Sequence, residues 1–282
     1  TIAGSEAQRK KWLRGVADGS LIAAIAITEP EAGSDMLSIE TRAERTRGGY
    51  VLSGTKTLIS NAGIADFYVV YARTAEGSAR DRGALSAFLV DRKAPGLSLA
   101  RKLELIAPHP IGELKFDKVQ VPADQRIGKE GEGFDLAIRT LEVFRPSVGA
   151  AAVGMASRAL KESLDHVGRR RQFGQLLSTF QGIKFKLADM ATKLRASELM
   201  VFSAASSRAR GGHGPEASMA KLFATEAAQE IIDDAVQIHG GMGVVRGSAV
   251  ERLYRSIRAL RIYEGTSEIQ KIVIARSLTG EP

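Results

Sequence analysis

Proline divides this chain into two stretches that cannot fold alike. Five of the eight prolines lie between Pro30 and Pro122, and Pro215 is the only one from Ala150 to Gly280. Proline has no amide donor and clashes with the preceding helical turn, so it is kept out of helix interiors and central strands. The first half is therefore expected to be irregular β structure and the second to be long helices.

Local patterns agree with that division. Arg47-Gly48-Gly49 reads as a turn leading into Tyr50-Val51-Leu52. Residues 67–71 and 87–90 are short apolar strand candidates, and Leu114-Lys115-Phe116 alternates. In the second half the period changes. Ile183, Leu187, Met190 and Leu194 recur at helical spacing, as do Met219, Leu222 and Phe223, with Ile231, Ala235 and Val236 beyond them. Gly211-Gly212-His213-Gly214-Pro215 breaks two of these helices. The spacing predicts a long helix over 131–168, bent at Pro146, then helices near 180–210, 215–239, 246–259 and 267–278. Apolar stripes on helices joined by short loops form a bundle.

The net charge of +8 calls for anionic partners. Nucleic acid is the first suspicion for a basic chain. The basic residues, however, are scattered beside acids, as in Arg195-Ala196-Ser197-Glu198, and Arg169-Arg170-Arg171 has no stacking aromatics interleaved. Phosphorylated cofactors account for the charge equally well, and no nucleic-acid partner is expected. No apolar run approaches the roughly 18–20 residues that span a bilayer. With no cysteine there is no disulfide or thiolate metal site. His109, His166, His213 and His239 lack metal-type spacing, so no metal is expected, and His239 reads as a packed helix-end residue. Gly241-x-Gly243 lacks the third glycine of the dinucleotide fingerprint and follows a helix, so no Rossmann site is indicated.

One carboxylate stands out. In Tyr263-Glu264-Gly265-Thr266-Ser267-Glu268-Ile269, an acid precedes a glycine and an expected helix start. Ser267 with Gln270 matches a capping box. The helix dipole alone would favour an acid there. With Gln237-Ile238-His239-Gly240-Gly241-Met242-Gly243 and Thr28-Glu29-Pro30-Glu31-Ala32-Gly33-Ser34-Asp35, however, the segment resembles the acyl-CoA dehydrogenase family, from about Thr1 to Leu278. The resemblance implies an α+β chain: a middle β-barrel-like domain (19–127) followed by a C-terminal antiparallel helical bundle (128–282). Residues 1–18 would be the tail of an N-terminal helical domain that is otherwise absent. A cytoplasmic location, or the mitochondrial matrix in a eukaryote, is the corresponding expectation.

The resemblance also implies chemistry: FAD-dependent α,β-dehydrogenation of an acyl-CoA thioester. Glu264 would remove the α-proton, and its amide together with a flavin ribityl hydroxyl would hold the carbonyl oxygen. Arg145 would act electrostatically beside it, although a salt bridge to Glu142 explains that arginine equally well. Phe144, where some relatives carry the base, cannot take a proton. Substrate-side matches are Ser34, Glu142, Tyr263 and Gly265, while Ser34-Asp35 also reads as a local cap. Flavin-ring contacts fall on Ile27, Thr28, Leu58 and Ser60, with Leu58 standing where an aromatic residue is common and Ser60 where threonine is. Arg170, Gln172 and Phe173 match a motif that grips the FAD pyrophosphate of a neighbouring subunit, although cations also suit a helix C-terminus. Gln237, Gly240 and Gly241 would approach the adenosine end, and Gln181, Thr266 and Glu268 are weaker matches. Such contacts imply a homo-oligomer, a dimer or dimer of dimers, and an electron-transferring flavoprotein as acceptor. The rivals are a flavin-dependent oxygenase or oxidase of the same superfamily, and a non-catalytic subunit of a flavoprotein assembly.

Overall fold

A computed structural model describes residues 1–75, 81–209 and 214–280. The chain divides into two compact units, Thr1–Thr140 and Leu141–Pro282.

The first unit is built on an eight-stranded mixed sheet. Its strands are β1 (Ala23–Ala26), β2 (Arg42–Arg45), β3 (Gly49–Ser60), β4 (Phe67–Arg73), β5 (Leu85–Asp91), β6 (Leu97–Leu103), β7 (Ile111–Pro122) and β8 (Arg126–Ile127). The order is β6-β7-β3-β2-β4-β5-β8, with β1 parallel to β4. Its path has two ends, so the sheet is open rather than a closed barrel. Edge strand β6 turns Arg101 and Lys102 to solvent, where charge discourages further pairing. Leu52, Tyr68, Val70, Phe88, Leu114 and Phe116 fill the core of this sheet. The strand segments expected from sequence lie within β3, β4, β5 and β7. β2 carried no apolar signal, because Ala43 is its only buried residue. The turn at Gly49 requires glycine: its φ is +156°, and a Cβ would lie 2.2 Å from the Val121 carbonyl oxygen.

Helix α1 (Glu6–Ala17) starts at a true capping box, Ser5 with Gln8. Trp12 packs on Phe67 with tilted rings 4.4 Å apart, and Gln8 Nε2 donates to the carbonyls of Asp124 and Arg126. These contacts tie the helix to the sheet.

The remaining elements are α2 (Gly133–Val167), a short hairpin of β9 (Arg171–Gln172) and β10 (Gln175–Leu176), α3 (Gln181–Ala209), α4 (Glu216–His239), α5 (Ala249–Leu260) and α6 (Ser267–Thr279). Each expected helix is present within a few residues. Pro146 lies inside an unbroken α2. The Gly211-Gly212-His213 part of the expected break lies outside the described residues, and a helix resumes after Pro215. The bundle core is rich in alanine: Ala152, Ala156 and Ala159 of α2 meet Met190 of α3, Ala220, Ala224 and Ile231 of α4, and Ile257 of α5. Pro146 in a buried turn and small residues at these contacts are what a tightly packed bundle tolerates.

Candidate functional site

The segment between α5 and α6 is held in an unusual backbone conformation. Glu264 has φ +55° and Gly265 +90°. A left-handed non-glycine residue costs roughly 1–2 kcal/mol, and such strain clusters at functional sites. The conformation is imposed by side chains below it. Gln270, fully buried, donates Nε2 to the carbonyls of Glu264 (3.1 Å) and Gly265 (2.9 Å). Lys221 of α4, also fully buried, donates Nζ to the Gly265 carbonyl at 2.8 Å. A Cβ at Gly265 would meet Gln270 Nε2 at 2.6 Å and would displace that donor, and at φ +90° any L side chain is strained, so glycine is favoured here.

The N-cap of helix α6 lies one residue before the expected one. Thr266, not Ser267, is the N-cap, and its hydroxyl accepts from the Ile269 amide. Ser267 instead donates to the Glu226 carboxylate, which also pairs with Arg261 at 2.7 Å. Gln270 serves the turn rather than a capping box. The side chains have exchanged roles because the left-handed turn exposes two carbonyls that need buried donors. Thr266→Ala should cost about 1 kcal/mol of stability, read as a lower denaturation midpoint. Hydrogen bonds from its own amide and from Thr266 hold the Glu268 carboxyl below its ordinary value.

Glu264 is half-buried, and among the described residues its carboxylate has no hydrogen-bond partner. Burial pushes its pKa above the ordinary value, against the opposing charges of Arg145 and Lys221. Arg145 is buried on α2 and donates Nη1 to Ser218 of α4 at 3.1 Å. Burial lowers the Arg145 pKa, and the charges of Glu142 and Glu264 oppose that fall. Tyr263 is drawn upward by burial and by the Glu264 charge. The structure thus brings Glu142, Arg145, Tyr263, Glu264 and Gly265 together, and Phe144 beside them is exposed.

Lys221 was missed by the sequence reading. Its signal is faint: it falls on the buried face of α4 that carries Ser218, Ala224, Thr225 and Ala228, where a solvated lysine has no place.

A second group of matches gathers elsewhere in the bundle. The His166 and His239 rings stack at 4.4 Å, joining the ends of α2 and α4, and His239 Nδ1 sits 2.7 Å from the Ala235 carbonyl oxygen. His239 is thus a packed helix-end residue. Near these ends lie exposed Arg170, Gln172, Gln181, Gln237, Gly240 and Gly241. Phe173 is 93% exposed at φ +50° and packs edge-on against Phe180. A Cβ on Gly241 would touch nothing within 4 Å. The chain's own packing gives no reason for glycine there, which suits close approach by a ligand.

The first unit holds the flavin-ring matches. Thr57 donates its amide to the Thr28 carbonyl at 2.9 Å, placing β3 against the Ile27-Thr28 segment. The Thr28 hydroxyl has no partner among the described residues. A bulge in β3 opposite β7 turns Leu58 outward at φ +55°, 52% exposed. Ser60 Oγ lies 2.8 Å from His109 Nε2. Ser34 is exposed beyond the tight Glu29-to-Ala32 turn. Within the first unit, the exposed Leu58 side chain and the unpartnered Thr28 hydroxyl suit an aromatic ring that also accepts hydrogen bonds; within the second, the exposed Arg170 guanidinium and the open Gly241 suit a phosphorylated ligand.

The chain thus joins a mixed sheet to a helical bundle and carries a half-buried carboxylate in a strained turn ahead of the last helix. Its class is set by likeness to known proteins. Residues 131–279 match the acyl-CoA dehydrogenase C-terminal domain and residues 24–119 the middle domain. The chain is 43% identical over 281 residues to an acyl-CoA dehydrogenase of Bacillus subtilis (strain 168), covering 98% of this chain and 73% of that protein. The butyryl-CoA dehydrogenase structure from Megasphaera elsdenii superposes with a TM-score of 0.96 at 36% identity, over 99% of this chain and 73% of that one. An FAD complex of PigA superposes with a TM-score of 0.94 at 33% identity, over 99% of this chain and 73% of that one. The chain belongs to the acyl-CoA dehydrogenase family of flavoprotein oxidoreductases. No helix among the described residues is long and apolar enough to cross a membrane.

Proposed function

We propose that this chain dehydrogenates an acyl-CoA thioester at the α,β-position with FAD, using Glu264 as the base. The observation that carries this reading is the Glu264 carboxylate itself: strained, half-buried and without a hydrogen-bond donor among the described residues. A carboxylate raised in pKa by burial and unencumbered by donors is matched to general-base work near neutrality.

Bound FAD would supply hydride acceptance at the β-carbon. The protein's part is proton removal and charge stabilisation. Glu264 takes the α-proton. Its backbone amide, which donates to no acceptor among the described residues, would bind the developing enolate oxygen. Arg145 keeps the region cationic, which limits the rise in the Glu264 pKa. Ser34, Glu142, Tyr263 and Gly265 would border the substrate. Ile27, Thr28, Leu58 and Ser60 would hold the flavin ring of this chain's own cofactor. Arg170, Gln172 and Phe173, with Gln181, Gln237, Gly240 and Gly241, would serve a cofactor bound to a second copy, with Thr266 and Glu268 as lesser contacts. A planar guanidinium suits a pyrophosphate bidentately. That arrangement implies a dimer or dimer of dimers, and an electron-transferring flavoprotein as the acceptor.

The test is an anaerobic titration of the native assembly with acyl-CoAs of varied length and branching, followed in the visible spectrum. Bleaching of the flavin by one thioester class is the expected result and identifies the substrate. A flavin that no thioester reduces would favour the oxygenase or oxidase reading. A native assembly without flavin would favour a non-catalytic subunit.

A further inference from the structure

Fully buried lysines are rare, because desolvating an ammonium is costly unless it is paired. Lys221 is fully buried, and its only hydrogen bond among the described residues goes to a neutral acceptor, the Gly265 carbonyl oxygen. A neutral donor or an apolar side chain would serve packing at lower cost. The placement of the charge is therefore informative.

Three features converge on the turn it touches. The Glu264-Gly265 pair has two consecutive positive φ angles, and both carbonyls are held from below. Ser218, three residues earlier on the same face of α4, holds Arg145. Glu226, five residues later, anchors Ser267 at the start of α6 and pairs with Arg261. One helix thus supports the carboxylate's backbone, its flanking arginine and the helix that follows it. The charged and titratable groups around this locus are Glu226 on the same helix, Arg145 and Glu142 on α2, Arg261 after α5, and Glu264 and the neutral Tyr263 in the turn.

We infer that Lys221 is a positioning residue for the base. Its ammonium fixes the Glu264-Gly265 turn through the Gly265 carbonyl and keeps the Glu264 carboxyl ionisable in the working pH range. Burial lowers Lys221 itself to about 8, and Glu226 and Glu264 oppose that fall, so it remains mostly cationic at neutral pH. An opposite charge within about 4–6 Å typically depresses a carboxyl pKa by about 1–3 units. Without the ammonium, burial would act on Glu264 with only Arg145 to oppose it.

The inference rests on Glu264 being the base, so the test separates the two. Wild type, Lys221→Met and Lys221→Gln are prepared as native assemblies with carboxyl-13C glutamate, and Glu264→Gln identifies the Glu264 signal. The expected result is that the Glu264 titration moves upward by about 1 unit in both lysine variants. The acid limb of flavin bleaching by the active thioester should move with it. At a pH above that limb, Lys221→Gln should bleach faster than Lys221→Met, because it retains a donor near the turn. If no thioester bleaches the wild type, the base reading fails, while the carbon titration still reports on Lys221. An unmoved Glu264 titration would overturn the inference. So would a loss of rate that is equal at every pH, or loss of folding in both variants, since either would make Lys221 a packing element only.

Discussion

Glu264→Gln should leave the flavin spectrum intact and abolish its bleaching by acyl-CoA, with a rate loss on the order of 10²–10⁴ or more. Glutamine keeps the shape of the side chain and the clamp on its backbone but takes no proton. The same substitution should stabilise the fold at neutral pH. Because burial raises the Glu264 pKa despite both nearby cations, the folded chain binds this proton more tightly than the unfolded chain. Stability from this group is fully present below the unfolded value of 4.5 and is lost as pH rises through the raised folded value. At pH 7 the wild type bears that loss and the glutamine variant does not. A gain of about 0.5–2 kcal/mol is the usual scale for a single stabilising substitution. Thermal melts of the two proteins at pH 4.5 and pH 7 would show it: the difference should grow with pH. An inactive variant that melts lower than wild type at pH 7 would contradict the assignment of a net cost to the Glu264 charge.

Lys56→Met should unfold or severely weaken the first unit. Lys56 is fully buried in β3, where its Nζ lies 2.7 Å from both Glu29 Oε1 and the Ile27 carbonyl oxygen. Glu29 also accepts from the amides of Glu40 (2.6 Å) and Thr41 (2.9 Å). Burial by itself would raise Glu29, but the Lys56 charge and the hydrogen bonds from Lys56, Thr41 and Glu40 hold it below its ordinary value. Burial lowers Lys56 to about 8, against the pull of Glu29, so the pair is charged at neutral pH. Removing one partner leaves a buried charge uncompensated, at about 3–5 kcal/mol. That is a large share of the ~5–15 kcal/mol that holds a domain folded. Lys56→Met combined with Glu29→Gln should be less damaging than Lys56→Met alone, because no charge is then stranded. Denaturant midpoints of the three proteins decide this. A loss under about 1 kcal/mol for Lys56→Met would mean that the pair behaves like a solvated one. In the wild type, the depressed Glu29 contributes stability above pH 4.5 that is lost as pH falls through its folded value. The same ammonium holds the carbonyl of Ile27, so a milder disturbance here would reach the proposed flavin surface before it reached the fold.

Several elements were legible because each is a local pattern. The helical period of Ile183, Leu187, Met190 and Leu194 marks α3, and the alternation at Leu114-Lys115-Phe116 marks β7. The glycine turn before Tyr50 is a single-residue requirement that sequence displays openly. The acid before a helix start pointed to Glu264, whose pKa burial raises against the charges of Arg145 and Lys221. Less was legible where residues act across the chain. Ser267 and Gln270 have the spacing of a capping box, yet Thr266 caps the helix and Gln270 reaches back to two carbonyls. Local spacing allows both arrangements, and only the left-handed turn selects between them.

By itself the sequence determined the order of a β unit and a helical bundle, because periodicity and proline placement act over a few residues. It also determined where an acid, a guanidinium and open glycines stand along the chain. Tertiary structure alone decided which charges are buried. Lys56 shows no sign of burial in sequence and Lys221 only a faint one, since burial belongs to the neighbours that other elements bring: β1 and its following loop for one, the α5–α6 turn for the other. It also decided that Leu58, Phe173 and Glu264 would take left-handed backbones, a conformation that non-glycine residues adopt only when packing and hydrogen bonds from elsewhere outweigh its local cost.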